Sequence, residues 1–378
     1  MRAYELSLAV GPAGQYVAWH GGPGEGASIY VQKVEQDGGL TGQAFRVSDG
    51  KRLAYEPDLI LVGDQLVVAW YEKEAATGQL TAMMAGADAA GRLLWRVPLS
   101  DRGWAKNPVV RQIGEHLHVA WIEPGAADRE GGGDKAGGGD RAGGGDRAGG
   151  ATVWHRRFSL NGVPETPPRQ IGLASATTWN LNATVYGTSL IVTYDAGQGS
   201  AAHELQMLVV TDKAVRHSQL TPDDGHASLY PDLQVNAAGQ AALTWFDEKD
   251  GNREVYLLVA PFDVLGTPRM PPPRRITQDK GESIGAYVTW NGPTIGLAWS
   301  DELHGSREIF LETFSDGGRP LGPVRQIGTS EGKASIPSIR ASGSGFLIAW
   351  NDYIAAAGNG HGSVASSAAR LQWASGAP

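Results

Sequence analysis

Two arginines end equivalent short segments of this 378-residue chain, Asn107-Pro108-Val109-Val110-Arg111 and Ile336-Pro337-Ser338-Ile339-Arg340. A guanidinium is a planar fork of donors that matches a carboxylate bidentately, so Arg111 and Arg340 facing one space would hold an anion. Other segments carry Ile60 and Gln234 at the same place, so the fold does not demand arginine there; solvated or backbone-bonded arginines are the plainer alternative. A second set combines aromatic faces with polar groups: Tyr55, Trp104, Trp179, Asn180, His226 and Tyr230, all in loops that also hold Lys51, Glu56, Asp58, Asn107 and Asp232. Aromatic platforms beside amides and carboxylates suit a polyol such as a sugar, which offers apolar C–H faces and fixed hydroxyls. Trp104 and Trp179 have no counterparts elsewhere, whereas Tyr55 and Tyr230 occupy equivalent places, which packing explains equally well.

Other chemistries find little support. The chain has no cysteine, which excludes disulfides, thiol catalysis and cysteine-based zinc sites. The histidines show no His-Glu-x-x-His or comparable spacing, so neither a zinc site nor any other cofactor is expected. Asp247 to Glu254 holds enough oxygens for one calcium ion but lacks the spacing of an EF-hand loop. A net charge of −8 repels phosphate backbones, and nucleic acid is not an expected partner. No run of 18 apolar residues occurs, so no membrane insertion is expected. The opening Met1-Arg2-Ala3-Tyr4-Glu5-Leu6 lacks the apolar core of a secretory signal; the chain reads as soluble, and an export address would lie upstream of Met1.

The elements that position these residues follow from a repeat. Seven short apolar runs end in an aromatic: Trp19, Trp70, Trp121, Tyr194, Trp245, Trp299 and Trp350, at intervals of 51, 51, 73, 51, 54 and 51 residues. A period near 50 marks units that bury their faces only against neighbours. The unit is clearest from Tyr230 to Thr277, where four short apolar or alternating runs are separated by Gly, Asn, Asp and Pro, the grammar of an antiparallel meander. Seven meanders pack best as blades around a channel, which leaves only short edges. The sequence therefore predicts an all-β, seven-bladed β-propeller spanning 1–378, with blades at approximately 1–49, 50–101, 102–172, 173–221, 222–277, 278–328 and 329–378; in the last blade three strands but no fourth are evident. The long interval contains a Gly-rich insert, 125–150, built on a hexapeptide Gly-Gly-Gly-Asp-Lys/Arg-Ala and expected to be a disordered loop.

An acidic residue follows each of five anchor aromatics by two places: Glu72, Glu123, Asp247, Asp301 and Asp352. A feature repeated once per unit normally serves the unit, here by accepting hydrogen bonds in the loop that follows. The full pattern, an apolar run, Trp, any residue, Asp, a Gly loop, then Glu-Ile-Phe or Glu-Val-Tyr, resembles the repeats of bacterial sialidase-like (BNR, neuraminidase-repeat) propellers. Ile295 to Ile327 carries it best, and Ser315-Asp316-Gly317-Gly318 is similar to a degenerate Asp-box turn. The resemblance implies a propeller and, in true sialidases, hydrolysis of an anionic sugar held by arginines. Their Arg-Ile-Pro motif and Asp boxes ending in Thr-Trp do not stand intact here, since Gly318 runs into Arg319-Pro320-Leu321. The expected function is a non-catalytic binding module for a carbohydrate or other polar ligand on the loop-rich face. A sialidase-like glycoside hydrolase and a scaffold for protein partners are the alternatives.

Overall fold

The computed structural model describes residues 2–22, 27–125, 150–174, 176–199, 201–278, 280–303, 306–328, 333–334, 336–355 and 364–377. Most of the Gly-rich insert, 126–149, lies outside the described residues. The strands form seven four-stranded antiparallel sheets. From innermost to outermost strand, blade 1 is Arg2–Gly11, Gly14–Gly22, Ser28–Val34 and Leu40–Arg46, and blade 2 is Leu53–Val62, Gln65–Lys73, Leu80–Asp88 and Leu93–Pro98. Blade 3 is Lys106–Ile113, His116–Pro124, Ala151–Ser159 and Arg169–Gln170; blade 4 is Leu181–Tyr186, Ser189–Ala196, Glu204–Val210 and Val215–Gln219. Blades 5 and 6 start from Ser228–Val235 and Ser283–Asn291 and end in two-residue outer strands, Arg274–Arg275 and Arg325–Gln326.

Blade 7 has four strands rather than three, because its inner strand is divided. Lys333–Ala334 and Ser338–Ser342 both pair with the same edge of Gly345–Ala355, and Val364–Ser375 pairs with the other. The innermost strands touch one another in sequence, from blade 1 round to blade 7, whose inner strand touches blade 1 again. The ring is therefore closed. Seven apolar clusters of described residues fill it, one between each pair of neighbouring blades.

Each anchor aromatic lies at the second strand and is buried. Residues two apart on a strand share a face, so the following acid reaches the indole. Trp70 Nε1–H donates to Glu72 at 3.0 Å, Trp121 to Glu123 at 2.8 Å, Trp245 to Asp247 at 3.1 Å and Trp299 to Asp301 at 3.0 Å. The repeated acid thus satisfies a buried indole as well as loop donors such as the Lys249 N–H on Asp247.

Opposite each anchor tryptophan in blades 1, 2, 3, 5 and 6, two inner-strand residues face one on the second strand. This is a β-bulge, and its first residue takes a left-handed backbone: Glu5 (φ 47°), Glu56 (51°), Asn107 (48°), Tyr230 (56°) and Gly285 (60°). Blade 4, whose anchor is Tyr194, pairs Leu181 directly with it and has no bulge. Just past the bulge, side chains join one blade to the next. Ser7 Oγ accepts the N–H of Leu59, Asp58 Oδ2 that of Val110, and Asp232 Oδ2 that of Val288.

Asp232 is 1% exposed and also accepts the amides of Asn182 and Gln234 at 2.8 and 3.2 Å. Asp232→Ala leaves the Val288 N–H without an acceptor, and we expect it to destabilise the fold by about 2 to 3 kcal/mol in denaturant unfolding.

Candidate functional site

The bulges fall at one mouth of the channel, where all seven blades line a pocket of about 290 Å³. Its walls take Glu5, Glu56, Asn107, Asn180, Tyr230 and Ile336 from equivalent places at the start of the inner strands, with Arg111, Arg340, Tyr287 and Tyr353 beyond them. Four of the five non-glycine residues with positive φ among the described residues line this pocket, the fifth being Trp104. A non-glycine residue held left-handed costs on the order of 1–2 kcal/mol, and such strain collects at functional sites.

The pocket brings two carboxyls together electrostatically. Glu56 retains some contact with the pocket space but is otherwise enclosed by protein. That burial, with the charge of Glu5 added, pushes its carboxyl well above the ordinary 4.5, and Lys106 offsets only part of the shift. Glu5 is more exposed and lies 3.2 Å from Nδ1 of His20. Burial likewise raises the phenol of Tyr230, against the pull of a hydrogen bond with Asn180.

The two arginines differ. Arg111 is occupied: Nε donates to the Ala183 carbonyl at 2.7 Å, Nη1 to Asp58 at 2.7 Å and the Val110 carbonyl at 2.6 Å, and Nη2 to Asn182 at 3.3 Å. Arg340 donates through Nη1 to the Ile339 carbonyl at 2.8 Å, and its Nε and Nη2 meet no protein acceptor among the described residues. Burial, then the charge of Arg111, lowers the Arg340 guanidinium from its ordinary value, while Asp232 and Asp58 oppose that shift.

Of the residues singled out from sequence, Arg111, Arg340, Asn180 and Tyr230 meet in this pocket. Tyr55 instead stacks on Tyr71 with centroids 5.4 Å apart and meets His20 edge-on. Trp104 enters blade 3 left-handed and donates its N–H to the Leu80 carbonyl. Trp179 is 39% exposed and stacks on His203 at 3.9 Å, over the buried Asp195, which accepts both the Trp179 N–H and His203 Nδ1. His226 is exposed on its loop. The acids of the 247–254 loop are spent on protein donors, Asp250 on Tyr256 and Arg275, Glu254 on Thr277 and Arg275, and Glu248 on Arg253. No group of three or more His, Asp or Glu is gathered for a metal among the described residues. Sequence reasoning missed the pairing of Glu5 with Glu56. The available signal was the X-Pro step that recurs at Pro57, Pro108, Pro231 and Pro337.

The sequence matches no protein-family profile and no curated protein. Solved structures do resemble the chain. An α-L-arabinofuranosidase of Fusarium graminearum aligns with TM-score 0.55 and 10% identity over 83% of this chain and 93% of that one. An α-L-arabinanase of Penicillium chrysogenum gives 0.51 and 14% over 92% and 88%. A subtype N10 neuraminidase-like protein from a little yellow-shouldered bat isolate gives 0.52 and 9% over 82% and 93%. At these identities the likeness is one of fold, and no described helix is long and apolar enough to cross a membrane.

The raised Glu56 carboxyl has a thermodynamic consequence. Its folded pKa exceeds the unfolded one, so the folded state binds the extra proton, and stability falls as pH rises from the unfolded value toward the folded one. Glu56→Gln carries no titrating carboxyl there. Its melting temperature should gain on the parent progressively as pH rises above the unfolded carboxyl's value, and equal pH profiles would show Glu56 to ionise freely.

Proposed function

We propose that this propeller binds a carbohydrate in the axial pocket, through the polar residues that the inner-strand bulges present there. The observation that carries the reading is the convergence of Glu56, Asn107 and Tyr230, all held left-handed, on one cavity that Asn180 also lines. Carboxyl, amide and phenol groups at fixed positions match the hydroxyls of a sugar, and Tyr287 and Tyr353 add aromatic surface. The open Nε and Nη2 of Arg340 suit a sugar that bears a carboxylate. Structures of similar fold support the class: the Penicillium arabinanase was solved with arabinobiose and the Fusarium arabinofuranosidase with an iminosugar inhibitor. We read the repeats as degenerate members of the neuraminidase-repeat type.

Hydrolysis is a second reading, favoured by one observation. Glu56 is driven toward its protonated form beside a second carboxyl, Glu5, and glycoside cleavage pairs a proton donor with a carboxylate. Screening with fluorogenic glycosides, sialosides included, separates the two readings. Turnover that vanishes in Glu56→Gln establishes hydrolysis, and retention on a glycan array without turnover establishes binding alone.

Asn107→Gly tests the pocket itself, because glycine accepts the left-handed backbone without strain while removing the amide. We expect glycan affinity to fall roughly tenfold or more with an unchanged or raised melting temperature. Glycan binding indifferent to both Asn107→Gly and Arg340→Ala would place the ligand elsewhere.

A further inference from the structure

A second cavity, about 520 Å³, opens on the outer part of the gap between blades 3 and 4, lined by His118, His155, Arg157 and Arg169 of the one and Thr211 and Asp212 of the other. The two histidines are 6% and 8% exposed, and their rings face each other with His118 Nδ1 and His155 Nε2 3.1 Å apart. The repeat makes them anomalous. His155 pairs with the residue before the anchor aromatic, and its equivalents by strand register are Val31, Met84, Met207, Leu257, Leu311 and Leu371. All six belong to, or pack against, the apolar clusters between blades. His118 stands three residues before its anchor, where Tyr16, Val67, Ile191, Ala242, Gly296 and Leu347 stand elsewhere. Blade geometry therefore asks for apolar side chains at both places, and blade 3 buries two imidazoles instead.

We propose that His118 and His155 are the paired ligands of a site for a divalent transition-metal ion, Cu²⁺, Ni²⁺ or Zn²⁺, in this rim cavity. Two nitrogens bound about 2.0–2.1 Å from one metal lie about 2.9 Å apart at a right angle and about 3.3 Å apart at a tetrahedral angle, so the observed 3.1 Å falls between. Apart from their mutual contact the rings have no hydrogen bond to other protein groups among the described residues. Metal entry between the facing nitrogens moves the shared proton to the outer nitrogen of the ring that held it. Both imidazoles stay neutral, and water from the cavity fills the remaining positions. Arg157 is held by Glu165 at 2.9 Å and Asp212 at 2.8 Å, His116 contacts Glu165, and Arg169 is exposed.

Titration of the tag-free full chain with CuCl₂ by calorimetry, read alongside the electron paramagnetic resonance of the bound ion, tests the assignment. One equivalent should bind with the hyperfine pattern of two imidazole nitrogens. His155→Leu installs the residue of three other blades; it should lose roughly tenfold or more in affinity without a fall in melting temperature. His118→Gln supplies the same readout with polarity retained. Absence of saturable Cu²⁺ binding, affinity unchanged in both variants, or stabilisation by inorganic phosphate in place of the metal would overturn the assignment, the last making Arg157 and Arg169 an anion site.

Discussion

Opposite each anchor tryptophan of the bulged blades, the innermost strand must fit two residues where its partner has one. The bulge that results turns the first of the pair left-handed. Glycine meets that demand without a Cβ penalty, and blade 6 uses Gly285 there. Blades 1, 2, 3 and 5 place Glu5, Glu56, Asn107 and Tyr230 at the same station. Blade 4 is the informative exception: its anchor is tyrosine, its inner strand pairs without interruption, and Asn180 reaches the pocket from a backbone of negative φ. In all five bulged blades the bulge lies opposite a tryptophan, and the residue type it carries is free to vary. That freedom turns a requirement of the fold into a ring of chemically distinct groups at the channel mouth.

Below that ring, closure of the propeller consumes polar groups that would otherwise look functional. A side chain that accepts the next blade's backbone N–H saves a buried donor from going unpaired, a loss of about 1–3 kcal/mol. Asp58 does this for Val110 and simultaneously neutralises Arg111, so both become parts of the blade 2 to blade 3 joint. Asp232 plays the equivalent part between blades 5 and 6 and receives Asn182 from blade 4. Arg340, four residues past its mouth position like Arg111, has no such partner for Nε or Nη2 among the described residues. Two arginines alike in sequence therefore differ in what remains available to a ligand.

The architecture was legible because its signature is local. Strand alternation, turn residues and a Trp followed two places later by an acid are set within a few positions of one another, and the indole-to-carboxylate bond explains why that spacing recurs. The division of blade 7 was not legible, since Lys333–Ala334 and Ser338–Ser342 reveal their common partner only through pairing. In the site, Arg111, Arg340, Asn180 and Tyr230 could be picked out by type and place. Glu5 and Glu56 could not be paired, because a full repeat separates them in sequence and only the packing of blade 1 against blade 2 makes their charges interact. The prolines after Glu56, Asn107 and Tyr230 were a trace of the bulge, but left-handed backbone leaves no reliable mark in residue type.

A repeat supplies its own controls, and the rim cavity shows how they discriminate. A buried histidine in an ordinary fold has no reference telling whether packing or chemistry placed it there. Here six equivalent positions in the same molecule report what packing alone selects, and at the place of His155 they return only Val, Met and Leu. Burying an imidazole in place of such a side chain forfeits apolar contact and adds a desolvation cost visible in the depressed basicity of both rings. One mutual hydrogen bond, worth about 1 kcal/mol net, does not restore what a packed leucine contributes. The acids after the tryptophans stand on the other side of that comparison: they recur from blade to blade, they satisfy an indole in each of four, and the fold accounts for them without a ligand.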